Sequence, residues 1–130
     1  MEPTLVTSPN LLTILDELMH LEEIFHHPGP GMTRADFERM TEPDFWEVGA
    51  SGRRYNRDFV SDVLEDRVRH PDRSTWETRD GHCAEIAPDN FLLTYTLIQG
   101  DRVTRRMTIW RRSATGWKTV YHQGTTVANV

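Results

Sequence analysis

The chain has 130 residues, of which 37% are hydrophobic and 27% charged, with four Trp and five Phe. That length suits one domain spanning residues 1–130, and the large apolar side chains exclude a disordered chain. A formal net charge of -5 argues against a nucleic-acid partner, and a single cysteine, Cys83, excludes an internal disulfide and an all-cysteine zinc site.

Residues 1–10 lack the basic start and apolar centre of a signal peptide, and no apolar run nears the roughly 20 residues that cross a bilayer. A cytoplasmic protein with no membrane partner is expected. Ser8 and Pro9 read as the cap and first position of a helix over 10–27, whose apolar stripe is Leu11, Ile14, Leu15, Leu18, Leu21 and Phe25. The run His27, Pro28, Gly29, Pro30, Gly31 must be a loop. Thr33 with Asp36 signals the cap of a short second helix bearing Phe37 and Met40, which Pro43 ends. A first strand over 44–51 and a third helix over about 56–68 follow.

From residue 75 the period changes to that of strands, over 75–87, 91–98, 103–112 and 117–126, with turns at Pro88-Asp89-Asn90, Gly100-Asp101 and Ser113 to Gly116. Helices first and a long-stranded meander afterwards is an α+β pattern with the helices on one sheet face. The turn lengths set Tyr95 opposite Arg106 and Arg106 opposite Gln123. One face then carries Tyr95, Leu97, Arg106, Thr108, Trp110, Trp117, Tyr121 and Gln123. The other carries Leu92, Met107, Ile109, Val120 and His122, so both faces are substantially apolar and a second subunit is the simplest cover for the outer one.

Glu22 falls inside the apolar stripe between Leu18 and Phe25, where a carboxylate is disfavoured. Either something polar meets it in the interior, or the stripe drifts and Glu22 reaches solvent beside His26. Glu47 shares a strand side with Phe45, and Arg106 supplies a compensating cation, giving a buried Glu47 to Arg106 pair lined by Tyr95, Tyr121 and Gln123. The same cluster fits a purely structural fastening of helix to sheet. The spacing of His20, Glu23, His26 and His27 fans round the helix, which points to a solvated face rather than metal ligands. Neither a metal site nor a cofactor motif is apparent, and His122 is expected on the outer face. Arg102, Arg105, Arg106, Arg111 and Arg112 form a basic stripe read mainly as strand solvation.

Three segments carry a resemblance: Asp44-Phe45-Trp46-Glu47-Val48-Gly49-Ala50-Ser51-Gly52-Arg53, Arg106-Met107-Thr108-Ile109-Trp110-Arg111-Arg112 and Trp117-Lys118-Thr119-Val120-Tyr121-His122-Gln123-Gly124-Thr125. The chain over 11–127 resembles a bacterial domain family of unknown function within the nuclear transport factor 2-like, or SnoaL-like, superfamily. The resemblance implies a cone-shaped half-barrel, with three N-terminal helices on a strongly curved, mainly antiparallel sheet that dimerises through its outer face. That superfamily includes ketosteroid isomerase, polyketide cyclases, dehydratases and non-enzymatic association domains, so it implies a pocket and not a reaction.

The resulting expectation is a homodimeric pocket domain without cofactor, binding a small apolar or partly polar ligand through Glu22, Glu47, Tyr95, Arg106, Thr108, Trp110, Tyr121 and Gln123. As an enzyme it would be an isomerase, cyclase or hydro-lyase, transferring a proton beside a carbonyl. The alternative is a non-enzymatic dimeric association or scaffold domain.

Overall fold

A computed structural model describes residues 1–128. A 3-10 turn, Pro9–Leu11, leads into α1, Leu12–His26. Then come α2, Arg34–Arg39; β1, Thr41–Val48; β2, Arg54–Asn56; and α3, Arg57–Arg69. The meander is β3, Trp76–Ala87; β4, Asn90–Gln99; β5, Arg102–Ser113; and β6, Gly116–Thr126. All six strands form one open mixed sheet in the order β2-β1-β6-β5-β4-β3, parallel only between β1 and β6. The expected α+β half-barrel is what the chain forms.

Local chemistry explains the helix boundaries. Thr33 and Asp36 close a reciprocal capping box at α2, and the Asn56 side chain accepts the Phe59 N–H at the start of α3. Ser8 makes no side-chain cap, and the chain enters α1 through a 3-10 turn instead. β1 begins before Pro43 rather than after it, because pairing with β6 lapses between Thr41 and Trp46, where a residue without an N–H costs no ladder bond. The three-residue β2 has too short a pattern to announce itself in the sequence.

Two cores hold the helices to the sheet. In the first, Leu18 of α1 meets Cys83, Phe91, Leu93, Tyr95, Leu97 and Trp110, with Leu11, Ile14, Leu15, Leu21 and Phe25 packed around them. The expected stripe of α1 is therefore the buried one. In the second, Phe37, Phe45, Val60 and Leu64 join α2, β1 and α3.

Gly100, at φ 64°, makes the two-residue turn between β4 and β5, and Tyr95 stands opposite Arg106 as the turn length requires. Arg112 pairs with Trp117, also as expected, but the register slips between Ile109 and Trp110: Trp110 faces Thr119 and Ile109 faces Tyr121. Val120 is the extra residue of this β-bulge. Beyond it every side chain of β6 lies on the opposite face from the one the unbulged alternation gives. Arg106 faces Gly124 instead of Gln123, and Thr108 faces His122.

Candidate functional site

Between the two cores lies a cavity of about 60 Å3, lined by Glu22, Phe25, His26, Phe45, Glu47, Val60, Leu64, Arg67, Arg106, Thr108, Thr119 and His122. Five elements contribute: α1, β1, α3, β5 and β6. Helical spacing delivers Glu22 and His26 together from α1 and sets Arg67 on the face of α3 that also presents Val60 and Leu64. Strand alternation delivers Arg106 and Thr108 from β5, and the bulge at Val120 turns His122 inward beside them.

Glu22 is the centre of the arrangement, 2% exposed. One carboxyl oxygen, Oε1, accepts from the Thr108 hydroxyl and from Trp110 Nε1 at 3.2 Å, and Oε2 accepts from the Tyr95 hydroxyl at 3.1 Å. Burial raises its pKa from 4.5 to about 7, although Thr108, Trp110, Tyr95 and the charge of Arg106 all pull it down. The network continues outward from both oxygens. Tyr95 meets His26 Nε2 at 2.8 Å, and Thr108 meets His122 Nδ1 at 2.7 Å.

Each hydroxyl has one proton, so the network has two consistent protonation states. With Glu22 ionised, Tyr95 and Thr108 both donate to it, and His26 Nε2 and His122 Nδ1 must be the protonated nitrogens. With Glu22 protonated on Oε2, the acid donates to Tyr95, which turns to donate to an unprotonated His26 Nε2. Both imidazoles are neutral at pH 7: burial, with the positive field of Arg106 and Arg67, lowers His122 to about 3, and burial first holds His26 well below 6.5. Burial likewise pushes the Tyr95 hydroxyl well above 10.

Arg106 donates through Nε to Thr104 at 2.9 Å, and its guanidinium lies across Gly124, where a Cβ would stand 2.6 Å from Nη1. Glycine leaves room for this close approach, and a larger residue would push the guanidinium aside. Arg67 donates to the Phe25 carbonyl at 2.6 Å. Glu47 is half-buried on the same cavity wall, and its burial raises its pKa against the opposing charges of Arg106 and Arg67.

No family model matches the chain, and no curated protein matches it. Solved structures do. A protein of unknown function from the DUF3225 family of Pectobacterium atrosepticum is 12% identical with a TM-score of 0.67, over 93% of this chain and 94% of that one. A nuclear transport factor 2-like protein of unknown function in nutrient uptake from Rhodospirillum rubrum is 13% identical with a TM-score of 0.64, over 90% and 98%. A protein from Parabacteroides distasonis provisionally named a ketosteroid isomerase is 14% identical with a TM-score of 0.66, over 93% and 94%. The chain has the nuclear transport factor 2-like fold.

Within that fold the expected site residues separate. Glu22, Glu47, Arg106 and Thr108 line the cavity, and Tyr95 and Trp110 stand behind them, bonded to Glu22. Glu22 is interior, which resolves its two possible placements. Tyr121 and Gln123 are not in the cavity: the bulge puts them on the outer face, where Tyr121 bonds Gln123 at 2.6 Å and packs on Trp46. His122, expected outside, is inside for the same reason. Glu47 and Arg106 make no ion pair among the described residues, and they act on each other across the cavity.

His26, expected on a solvated face, joins the network, while His27 stacks on Trp76. Its signal was present, since His26 lies four residues from Glu22 and eight from Leu18 on one stripe. Arg67 went unnoticed for a similar reason: it lies seven residues from Val60 and three from Leu64, a cation within an apolar face. Among the described residues, no cluster of His, Cys, Asp and Glu could hold a metal ion, and no helix is long and apolar enough to cross a membrane.

Gln123 opens instead onto a groove of about 540 Å3 on the other face of the sheet, between the N-terminal residues Glu2, Pro3 and Leu5 and the strand residues Asp80, Thr94, Thr96, Arg105, Met107 and Thr125, with Tyr95 and Arg106 also contributing. It is the larger space, and the cation Arg105 on its wall is already paired with Glu2 and Asp80. The convergent buried polar groups belong to the smaller cavity.

Proposed function

We propose that the interior cavity binds a small molecule and exchanges a proton with it through Glu22, in the manner of an isomerase or hydro-lyase. The observation that carries this reading is a buried carboxyl on a cavity wall with its pKa raised to about 7, near the pH at which a general base and its conjugate acid are both available. Ionised Glu22 takes a proton from a carbon beside a carbonyl, and the electron pair of that C–H bond moves onto the carbonyl oxygen. The guanidinium of Arg106 offsets the charge that develops there. The acid form of Glu22 then returns the proton at a second carbon. Thr108 and Trp110 occupy Oε1, which leaves Oε2, shared only with Tyr95, as the oxygen that accepts it.

A cavity of about 60 Å3 lies well below the roughly 300 Å3 at which drug-sized pockets begin, so the ligand in this reading has few heavy atoms. The test is proton-deuteron exchange of small ketones and keto acids in heavy water, followed by NMR. Exchange that the protein accelerates and Glu22→Gln does not supports the reading. Equal acceleration by both proteins, or a carbon-detected titration midpoint of Glu22 near 4.5, would remove its basis.

A second reading, a dimeric association domain, is favoured by the outer face, where Trp46 is 43% exposed and packs on Tyr121 in line with Ile109. In this reading a homodimer covers that row. Sedimentation at micromolar concentration tests it: a monomer for the starting protein, or an unchanged dimer for Trp46→Glu, rejects it.

A further inference from the structure

The arginines that line the cavity differ from those that carry ion pairs elsewhere in the protein. Arg34 meets Glu38, Asp58, Asp62 and Glu65, Arg105 meets Glu2 and Asp80, and Arg111 meets Glu42. The two half-buried arginines of the cavity, Arg67 and Arg106, have no carboxylate partner among the described residues. A cation partly withdrawn from water needs a counter-ion, and these two lack one. Their hydrogen bonds are also incomplete. Arg106 uses Nε on Thr104 and Arg67 uses one Nη on the Phe25 carbonyl, so both Nη groups of Arg106 lack a protein acceptor among the described residues.

Charge on the cavity wall completes the argument. Two guanidiniums face two carboxyls, Glu47 and Glu22, and burial raises the pKa of both, that of Glu22 to about 7. The imidazoles of His26 and His122 are uncharged, and Tyr95 is a neutral phenol. At least one positive charge is unmatched whenever Glu22 holds its proton.

Resting on the reading that this cavity is a small-molecule site, we infer that its ligand is a small monoanion, a carboxylate of few carbons held by the guanidiniums of Arg67 and Arg106. The planar fork of arginine suits a carboxylate, and two forks from different elements, α3 and β5, fix its orientation. Such an anion lies beside Glu22 and favours its protonated form, so uptake of the ligand draws a proton onto Glu22. The groups that face Glu22 from the packed elements are His26 on α1, Glu47 on β1, Arg67 on α3, Tyr95 on β4, Arg106 on β5 and His122 on β6. His26 and His122 are held neutral over pH 6 to pH 8, so the pH dependence falls on the cavity carboxyls, Glu22 first and Glu47 beside it.

The experiment uses acetate and propionate against their uncharged amides, acetamide and propionamide. Binding is followed by the NMR signal of the Trp110 indole N–H, which is buried and bonded to Glu22. The carboxylates should bind at least about tenfold tighter than the amides, and Arg67→Met or Arg106→Met should each weaken them about tenfold or more. Affinity should be higher at pH 6 than at pH 8 in the starting protein, and the difference should shrink in Glu22→Gln. Should Arg67→Met lose a folded spectrum, Arg106→Met carries the comparison, with Arg67→Lys, which keeps the charge and loses the fork, expected to weaken binding several-fold. Amides that bind as well as the acids overturn the anion and leave the small-molecule reading standing. An indole signal that moves with neither acids nor amides overturns both.

Discussion

Inside the cone, Glu22, Tyr95, Thr108, Trp110, His26 and His122 satisfy one another through short-range hydrogen bonds, with hardly a net charge among them. Outside it, Arg34 gathers four carboxylates and Arg79 lies against Glu77, all in contact with water. The surface has more ion pairs, yet the interior is where a single proton or methyl changes the energy. Water screens the outer pairs and offers each group another partner, while an interior group that loses its partner has none.

The largest test of that contrast is Glu22→Gln. The amide keeps the shape and can reproduce the bonds of the protonated acid, with its oxygen toward Thr108 and Trp110 and its nitrogen toward Tyr95. Native Glu22 holds its proton up to about pH 7, whereas the unfolded chain releases it near 4.5. The stability tied to that proton is complete below pH 4.5 and is lost as the pH rises through 7, by about 3 kcal/mol over the window. Urea denaturation of both proteins from pH 4 to pH 8 should show the starting protein losing ground to Glu22→Gln as the pH rises. Parallel curves would mean that Glu22 is not held as an acid.

A smaller loss is expected for Thr108→Val, which keeps the volume and removes one hydroxyl. Glu22 then loses a donor and His122 Nδ1 its partner, and a buried polar group left unpaired costs about 1–3 kcal/mol. Because Thr108 holds the carboxyl down, the midpoint of Glu22 should also move up. A variant as stable as the starting protein, with the midpoint unmoved, would place Thr108 outside the network.

Much of this was legible before any coordinates. The stripe of α1, the capping box at Thr33, the two-residue turn at Gly100 and the pairing of Tyr95 with Arg106 depend on local chemistry that residue types express directly. Glu22 announced itself because a carboxylate interrupts an apolar stripe. What failed was everything downstream of Val120 on β6. A bulge adds one residue to one strand and leaves no compositional mark, yet with a side-chain period of two it exchanges the faces of all that follow. Tyr121 and Gln123 went out and His122 came in by that single residue. Arg67 and His26 failed for another reason: a long or polar side chain near the end of a helix reads as solvated unless the element packed over it is known, and here Tyr95 of β4 meets His26 and the Phe25 carbonyl of α1 meets Arg67.

The smallest effect belongs to the surface pair of Arg79 and Glu77, whose side chains are 61% and 52% exposed. Replacing Arg79 by Ala removes contacts at 3.0 and 3.3 Å, close to the lengths that Trp110 and Tyr95 make to Glu22. If length governed strength, the two sites would respond alike. In water both partners are resolvated at once, and the expected loss is within about 0.5 kcal/mol. At 1 M salt, where screening acts over about 3 Å, even that should fade, while the cost of Thr108→Val should persist. A loss at Arg79 as large as that at Thr108, and insensitive to salt, would show that burial is not what separates the two faces of this sheet.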